Sequence, residues 1–298
     1  MIAEVKDRVD FRAIASKARQ LIIQMIYEAE SGHPGGSLSA IDVLTYLYFQ
    51  ELRLDPARPD WEGRDRFILS KGHACPALYA IAVERGLMPV DLLWGFRKTG
   101  RPLQGHPHVG STPWVETSTG SLGQGFSVAI GMALGLRHQT LPARVYVMLG
   151  DGELQEGEVW EGAMCAPHYR LDNLCVIIDY NQMQSDDLTK NIMGLEPLKP
   201  KWESFNWKVI EIDGHDYAQI ASAFDQAKHI VGTPTVILAH TIKGKGVSFM
   251  ENSPCWHGSV KLREEELIRA LQDLGADASE MPPYLNGSFK QGEDQHGQ

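Results

Sequence analysis

The residues best suited to hold a metal and a phosphate follow two short apolar segments in the middle of the sequence. Residues 144–149 lead directly into Gly150-Asp151-Gly152, and residues 174–179 are followed by Tyr180-Asn181-Gln182-Met183. Parallel sheets bind ligands beyond the carboxyl ends of their strands, where a helix N-terminus offers free N–H groups to phosphate. A carboxylate, an amide oxygen and a backbone carbonyl suit Mg²⁺ or Ca²⁺. Either motif alone is typical of an ordinary turn, but together they predict a metal–diphosphate site.

Four histidines beside glycine or proline form the second group of candidates. They are His33 in SGHPGG, His73 in SKGHA, His106 in GHPH and His257 in CWHG. Functional side chains concentrate on loops carried by a rigid sheet. One loop histidine is usually a solvated surface residue, whereas four in similar surroundings predict a single pocket that donates and accepts protons. Structural or surface roles are expected for the other histidines, which are His108, His138, His168, His215, His229, His240 and His296.

A glycine-rich segment, TGSLGQG, begins at Thr119 and opens a predicted helix that also carries Gly131 and Gly135. Glycines of this kind let a backbone approach a ligand or a neighbouring helix closely. The sequence contains neither GxGxxG nor GxxxxGK[ST], which argues against a dinucleotide or P-loop site. The glutamates after the GDG motif predict a solvated acidic face, and they are Glu153, Glu156, Glu158 and Glu161.

Short β-branched segments alternate with amphipathic ones along the chain, and these elements must position the candidate residues. Strands are predicted at residues 66–69, 144–149, 174–179, 208–213 and 235–240. Helices are predicted at residues 10–29, 39–52, 123–138, 153–168, 217–231 and 262–274. Continuous apolar strands alternating with helices predict a doubly wound α/β fold, in which a mostly parallel sheet is covered by helices on both faces.

Composition favours a globular protein with one large domain. The 298 residues are 43% hydrophobic and 22% charged, and the net charge of −10 disfavours binding to nucleic acid or an anionic membrane. We predict one domain over residues 1–275 and a flexible or partner-docking tail over 276–298, where periodicity ends. The four cysteines are scattered and expected to be reduced. The sequence shows no signal peptide and no membrane span, so a cytoplasmic location is expected.

Taken in order, the motifs resemble the N-terminal, diphosphate-binding half of transketolase, a thiamine diphosphate enzyme. The resemblance extends over residues 10–275. It depends on nine segments, which are SGHPGG, SKGHA, GHP, TGSLGQG, GDGELQEG, the segment around Asn181, MGLEPL, IEIDGHD and HTIKGKG.

The resemblance implies a role for each matching residue. Asp151, Asn181 and the Met183 carbonyl would hold Mg²⁺ or Ca²⁺. The cofactor diphosphate would contact His73, Gly152, Asn181 and His257, and its rings would lie beside Gly120, Ser121 and Leu122. Substrate oxygens would be surrounded by His33, His106 and His257. Glu156 would lie at the interface with the glutamate of a partner that activates the cofactor.

The resemblance also implies a reaction and a partner. The reaction is transfer of a two-carbon ketol unit from a ketose, or ketose phosphate, to an aldose. One departure is Ser121, which stands where the family usually has proline and changes loop rigidity more than chemistry. The other is the absence of the pyrimidine-binding and C-terminal domains. We therefore expect these domains to form a separate C-terminal subunit, which joins this chain in an α2β2 assembly that acts on small sugars.

Three alternatives stay open from the sequence. The chain resembles other thiamine diphosphate enzymes less well, because deoxyxylulose phosphate synthase and dehydrogenase E1 components differ in the SGHPGG, SLGQG and LQEG segments. A related ketol transferase acting on a branched or sulfonated sugar fits equally, because the residues that grip the sugar phosphate belong to the missing part. A non-catalytic regulatory relative is disfavoured, since no metal ligand or pocket histidine is lost.

Overall fold

Five parallel strands form the central sheet of the computed structural model, which describes residues 9–276. The described strands are β1 (Arg66–Leu69), β2 (Val145–Gly150), β3 (Leu174–Tyr180), β4 (Met183–Gln184), β5 (Asp187–Leu188), β6 (Lys208–Asp213) and β7 (Thr235–His240). The central sheet has the order β1-β2-β3-β7-β6, and β4 pairs with β5 as an antiparallel hairpin. All five predicted strands are confirmed to within one residue at each end.

Helices cover both faces of this sheet, which confirms the predicted fold class. The described α-helices are α1 (Phe11–Glu28), α2 (Pro34–Tyr46), α3 (Cys75–Glu84), α4 (Gln124–His138), α5 (Gly157–His168), α6 (Thr189–Ile192), α7 (Leu198–Ser204), α8 (Tyr217–His229) and α9 (Glu264–Asp273). Helices α1, α2, α3, α8 and α9 share one hydrophobic core, and α4, α5 and α7 share the other. Along β2, Tyr146 and Met148 face the first core and Val145 and Val147 the second.

The second helix differs most from its prediction, because α2 begins at Pro34 and not at residue 39. Proline is favoured in the first turn of a helix, where its missing N–H would have no partner. Gly35 and Gly36 lie in the same turn. A Cβ on Gly35 would be only 2.8 Å from the Trp256 carbonyl oxygen, so glycine here permits close packing. Helix α3 was not predicted, since it is apolar on nearly every side and shows no periodicity.

Of the histidines expected to be structural or on the surface, His296 lies outside the described residues, and the others are exposed except for His215, which is hydrogen-bonded within the fold. The Nδ1 of His215 lies 2.6 Å from an Asp42 carboxylate oxygen, and its Nε2 accepts a hydrogen bond from the Ile242 N–H. The cysteines are free, as predicted. No helix in the described part of the chain is both long and apolar enough to cross a membrane. Of the predicted tail, residues 277–298 lie outside the described residues.

A buried ion pair joins the elements at the carboxyl edge of the sheet. Lys71, just after β1, forms it with Asp179 of β3, and the two are 2% and 1% exposed. Asp179 also accepts hydrogen bonds from Ser39 of α2, at 2.6 Å, and from Thr241 after β7. The Lys71 ammonium and these hydroxyl groups hold the pKa of Asp179 below its ordinary value despite burial.

We expect Asp179→Asn to lower the free energy of unfolding by about 3–5 kcal/mol, because the substitution leaves the Lys71 ammonium buried without a counter-charge. The matched control is Glu211→Gln, which breaks an exposed ion pair with Lys199 and should change stability by less than about 1 kcal/mol. Urea unfolding monitored by circular dichroism measures both. Equal small effects would show that the buried pair does not hold these elements together.

Candidate active site

A cavity of about 240 Å³ opens at the carboxyl ends of β2 and β3, where the sequence predicts a site. Nine of the predicted site residues line it. They are His33, His73, Gly120, Leu122, Asp151, Gly152, Asn181, Met183 and His257. A larger groove, of about 690 Å³, lies at the opposite edge of the sheet between α5 and α7 and contains none of the candidate residues. The cavity at the carboxyl edge is therefore the candidate site.

Three predicted residues do not line this cavity. The exposed His106 ring packs against Gly120, where a Cβ would lie 3.1 Å from the ring. Gly120 has a φ of +154°, so a side chain would be strained there as well as crowded. Ser121 and Glu156 are exposed, and Glu156 immediately precedes α5. His106 is thus next to the cavity, whereas Ser121 and Glu156 face outward beside it.

The three proposed metal ligands lie on two adjoining turns. Asp151 is 2% exposed, and its carboxylate accepts hydrogen bonds from the Gly152 and Gln182 N–H groups, which places it against the 181–183 segment. The Asn181 side-chain oxygen accepts from the Met183 N–H at 3.1 Å. Burial, together with the nearby Asp179 charge, raises the pKa of Asp151 to about 7. An uncompensated carboxyl group of this kind favours a bound cation.

Two buried lysines, which the sequence analysis did not single out, also line the cavity. Lys243 is 1% exposed, and its ammonium lies 3.1 Å from the Met183 carbonyl oxygen and 2.7 Å from His257 Nδ1. No carboxylate in the described part of the chain lies within ion-pair distance of Lys243, and burial lowers its pKa to about 8. Both lysines lie inside motifs that carry the family resemblance, SKGHA and HTIKGKG, and this is the signal that could have identified them.

Three histidine rings meet in the cavity. The ring centroids of His33 and His73 are 5.3 Å apart, those of His73 and His257 are 5.4 Å apart, and those of His33 and His257 are 5.9 Å apart. Burial, with nearby cations, lowers the pKa of His33 to about 4 and that of His257 to about 3, and it lowers the pKa of His73 as well. The imidazoles are therefore neutral at pH 7 and able to donate or accept hydrogen bonds.

The prediction of a solvated face was wrong for Glu153. This residue is 2% exposed, and its carboxylate accepts hydrogen bonds from the N–H groups of Gly123, at 2.9 Å, and Gly150, at 3.0 Å, and from Ser70. Glu153 therefore ties the glycine-rich segment to the end of β2. A turn of 3₁₀-helix over Gly152–Gln155 precedes α5 and directs this carboxylate inward, away from the surface that a continuous α-helix would give it.

Comparison with protein families gives one match over nearly the whole chain. Residues 11–294 match the family described as "Transketolase, thiamine diphosphate binding domain".

Several relatives are similar over almost their full length. The chain is 45% identical to the 6-deoxy-6-sulfo-D-fructose transketolase subunit SqwG of Clostridium sp. (strain MSTE9), over 90% of this chain and 98% of that protein. It is 38% identical to an apulose-4-phosphate transketolase subunit of Phocaeicola vulgatus, over 87% of this chain and 92% of that protein.

Among solved structures, the transketolase of Leishmania mexicana superposes with a TM-score of 0.86 at 32% identity. The superposition covers 90% of this chain but only 42% of that one, so the chain spans about four tenths of the length of this transketolase.

The raised pKa of Asp151 predicts how the free energy of unfolding depends on pH. The carboxyl group binds a proton up to about pH 7 in the folded chain, against 3.8 as its ordinary value. Between these values the unfolded chain releases a proton that the folded chain keeps, so the wild-type protein loses stability as the pH rises. We expect the stability of Asp151→Asn relative to wild type to increase from pH 5 to pH 8, by on the order of 2 kcal/mol.

Urea unfolding in the presence of EDTA measures this difference. Asp186→Asn is the control, because it makes the same change in an exposed side chain, on the turn of the β4–β5 hairpin. A constant difference between Asp151→Asn and wild type would contradict the assignment of a protonated Asp151.

Proposed function

The chain belongs to the transketolase family, and on this premise we propose that it is the cofactor-anchoring subunit of a two-chain transketolase. With a second chain it would transfer a two-carbon ketol unit from a ketose to an aldose. The observation that carries the proposal is the combination, in one cavity, of three kinds of group. They are a buried ammonium with no carboxylate partner among the described residues, a buried carboxyl group and three neutral imidazoles. Such a cavity suits a phosphorylated cofactor with its cation, next to groups that handle substrate protons.

The residues present fit thiamine diphosphate and a divalent cation. Lys243 is a buried positive charge without a carboxylate partner among the described residues, so a diphosphate would supply the missing negative charge. Asp151 is buried with a raised pKa, so a cation would stabilise its charged form. The described residues contain no cluster of three or more His, Cys, Asp or Glu side chains suited to a metal. The proposed donors are instead the oxygens of Asp151, Asn181 and the Met183 backbone, which suit Mg²⁺ or Ca²⁺.

The remaining cavity residues would orient the cofactor. When bound, thiamine diphosphate supplies the nucleophilic carbon that attacks a ketose carbonyl. His73, Gly152, Asn181 and His257 would contact the diphosphate, and Lys71 and Lys243 would add positive charge. The backbone of Gly120, Ser121 and Leu122, fixed by Glu153, would lie beside the rings. A rigid segment at this place reduces the entropy lost when the rings are oriented for reaction.

The histidines would act on substrate oxygens. His33 and His257 face the cavity as neutral rings, and His106 lies next to Gly120 with a lowered pKa. A neutral N–H group can donate to an oxygen atom as that atom gains negative charge, and the ring can accept the proton again later. The low pKa values keep this chemistry available across the neutral range.

One face of α4 supports the proposed partnership. Val128 is 37% exposed, and Gly131 and Gly135 follow it at helical spacing. Apart from the adjoining backbone of α4 itself, no heavy atom of the described residues lies within 4 Å of a Cβ built on either glycine. A neighbouring helix could therefore approach this face closely. Glu156, at the start of α5, is exposed beside the glycine-rich segment. We propose that a C-terminal subunit, carrying the pyrimidine-binding and C-terminal domains, completes each site in an α2β2 assembly.

The donor is proposed to be a ketose with an anionic group at its far end. The relative with 45% identity carries the name of a 6-deoxy-6-sulfo-D-fructose transketolase subunit, and those with 38% identity the name of an apulose-4-phosphate one. The higher identity supports a sulfonated ketose as the first donor to assay. A branched ketose phosphate is the second, because the residues that would grip either anion belong to the proposed partner.

Binding and turnover should separate in two variants of the assembled protein. Asp151→Ala removes a metal ligand and should weaken thiamine diphosphate binding in Mg²⁺ by about 100-fold, as measured by calorimetry.

His106→Ala should leave cofactor affinity within about threefold of wild type but lower kcat by about 100-fold. Unchanged cofactor binding in Asp151→Ala, or wild-type turnover in His106→Ala, would refute the corresponding role.

The partnership is tested by mixing. Alone, the chain should show no ketol transfer in a coupled assay. Mixed with the product of the neighbouring gene, it should become active, and light scattering should give the mass of an assembly with two copies of each chain. Val128→Glu should weaken this association about tenfold or more, because a charge would be buried at the interface. Val231→Glu is the control, since Val231 is 84% exposed and lies between α8 and β7, outside α4. Full activity from the purified chain alone would overturn the proposal.

A further inference from the structure

One arginine, which neither the sequence motifs nor the proposed mechanism uses, contacts a pocket histidine directly. Arg97 lies just after the 3₁₀ turn Val90–Gly95, and its Nη2 is 3.1 Å from Nδ1 of His33. Its Nη1 donates to the Ser31 hydroxyl oxygen at 2.6 Å. The two contacts fix the guanidinium across the segment that begins α2.

The chemistry of the two groups decides where the histidine proton lies. A guanidinium group carries only N–H donors and does not lose its proton in proteins, so it cannot accept a hydrogen bond. Nδ1 of His33 must therefore be the acceptor, and the single ring proton must be on Nε2. We infer that Arg97 is a positioning residue that fixes His33 as the Nε2–H tautomer, with its donor edge free for a substrate oxygen.

The surroundings of both side chains support a specific placement. A Cβ on Gly105 would lie 2.8 Å from Nε of Arg97, and one on Gly258 would lie 2.5 Å from Nε2 of His33. Glycine at these two positions leaves space for the guanidinium on one side and keeps the donor edge of the imidazole clear on the other. Nε of Arg97 is buried and has no hydrogen-bond partner among the described residues, so this arginine is not held by an optimal structural network.

No carboxylate among the described residues forms an ion pair with Arg97, in contrast to Arg19, which pairs with Asp42. The groups that face His33 are Arg97, His73, His106, His257 and Lys243, all cationic or neutral. Protonation of His33 is therefore opposed from every side. Arg97 in addition determines which ring nitrogen of the neutral imidazole carries its one proton.

The catalytic consequence rests on the proposed function. If His33 donates Nε2–H to a substrate oxygen, the loss of Arg97 leaves a mixture of tautomers, of which only a part can donate. In the assembled protein, Arg97→Met should lower kcat by about two- to fivefold, with KM and cofactor affinity unchanged from wild type. Arg97→Lys retains a cationic donor and should recover most of the activity.

The tautomer can be read without substrate, cofactor or partner. The full chain labelled with ¹⁵N-histidine gives separate signals for protonated and non-protonated ring nitrogens, and the His33 signals are assigned by their loss in His33→Gln. We expect a protonated Nε2 and a non-protonated Nδ1 in the wild-type chain and in Arg97→Lys, and mixed signals in Arg97→Met. Arg101→Met, at an exposed position of the same loop, is the control and should match wild type.

A wild-type spectrum with the proton on Nδ1 would overturn the inference by itself, whether or not the variants fold. An unchanged tautomer in a folded Arg97→Met would also overturn it. These outcomes differ from failure of the proposed function. The expected tautomers, together with no ketol transfer by the assembled protein, would support the role of Arg97 and refute the transketolase proposal.

Discussion

The buried contact between Lys71 and Asp179 is the constraint on which the site depends. Removing two charges from water is unfavourable, so the fold must satisfy both with well-placed partners. Asp179 accepts from Lys71, Ser39, Thr241 and, at 3.3 Å, Asn181, while the Lys71 ammonium also donates to the Gly36 carbonyl at 2.8 Å. These partners come from α2 and from the segments that follow β1, β3 and β7. A single ion pair, with its hydrogen-bond partners, thereby fixes the relative positions of these four segments around the cavity.

The distribution of charge inside the cavity follows from this arrangement. Asp179 is balanced by Lys71, which leaves Asp151 without a cation and Lys243 without an anion among the described residues. Both groups contact the 181–183 segment, because Asp151 accepts from the Gln182 N–H and Lys243 donates to the Met183 carbonyl. A ligand that brings both an anion and a cation would complete the electrostatics of the site. Burial, together with the nearby cations, keeps His33, His73 and His257 neutral.

The glycine-rich segment forms one side of the cavity, through Gly120 and Leu122. Glu153 holds that segment from beneath, so its outer surface, with Ser121, is left free beside Glu156. The exposed glycines of α4 continue this surface away from the cavity. Small residues on a helix face permit a second backbone to approach closely, which agrees with a site shared between two chains. The proposed partner subunit would meet the chain at this surface.

Local sequence was sufficient for the strands, for most helices and for the association of Asp151 with Asn181, since apolar periodicity and motifs at strand ends report local geometry. The family was recognisable from short motifs for the same reason. Tertiary structure alone decided that Glu153 turns inward, that Arg97 reaches His33 and that Lys243 has no counter-ion among the described residues. Each of these facts depends on contacts between side chains that are far apart in the sequence. Burial determines the charge of these groups, and burial is a property of the folded chain. Arg97 and His33 are separated by two helices and a strand, so no local pattern joins them.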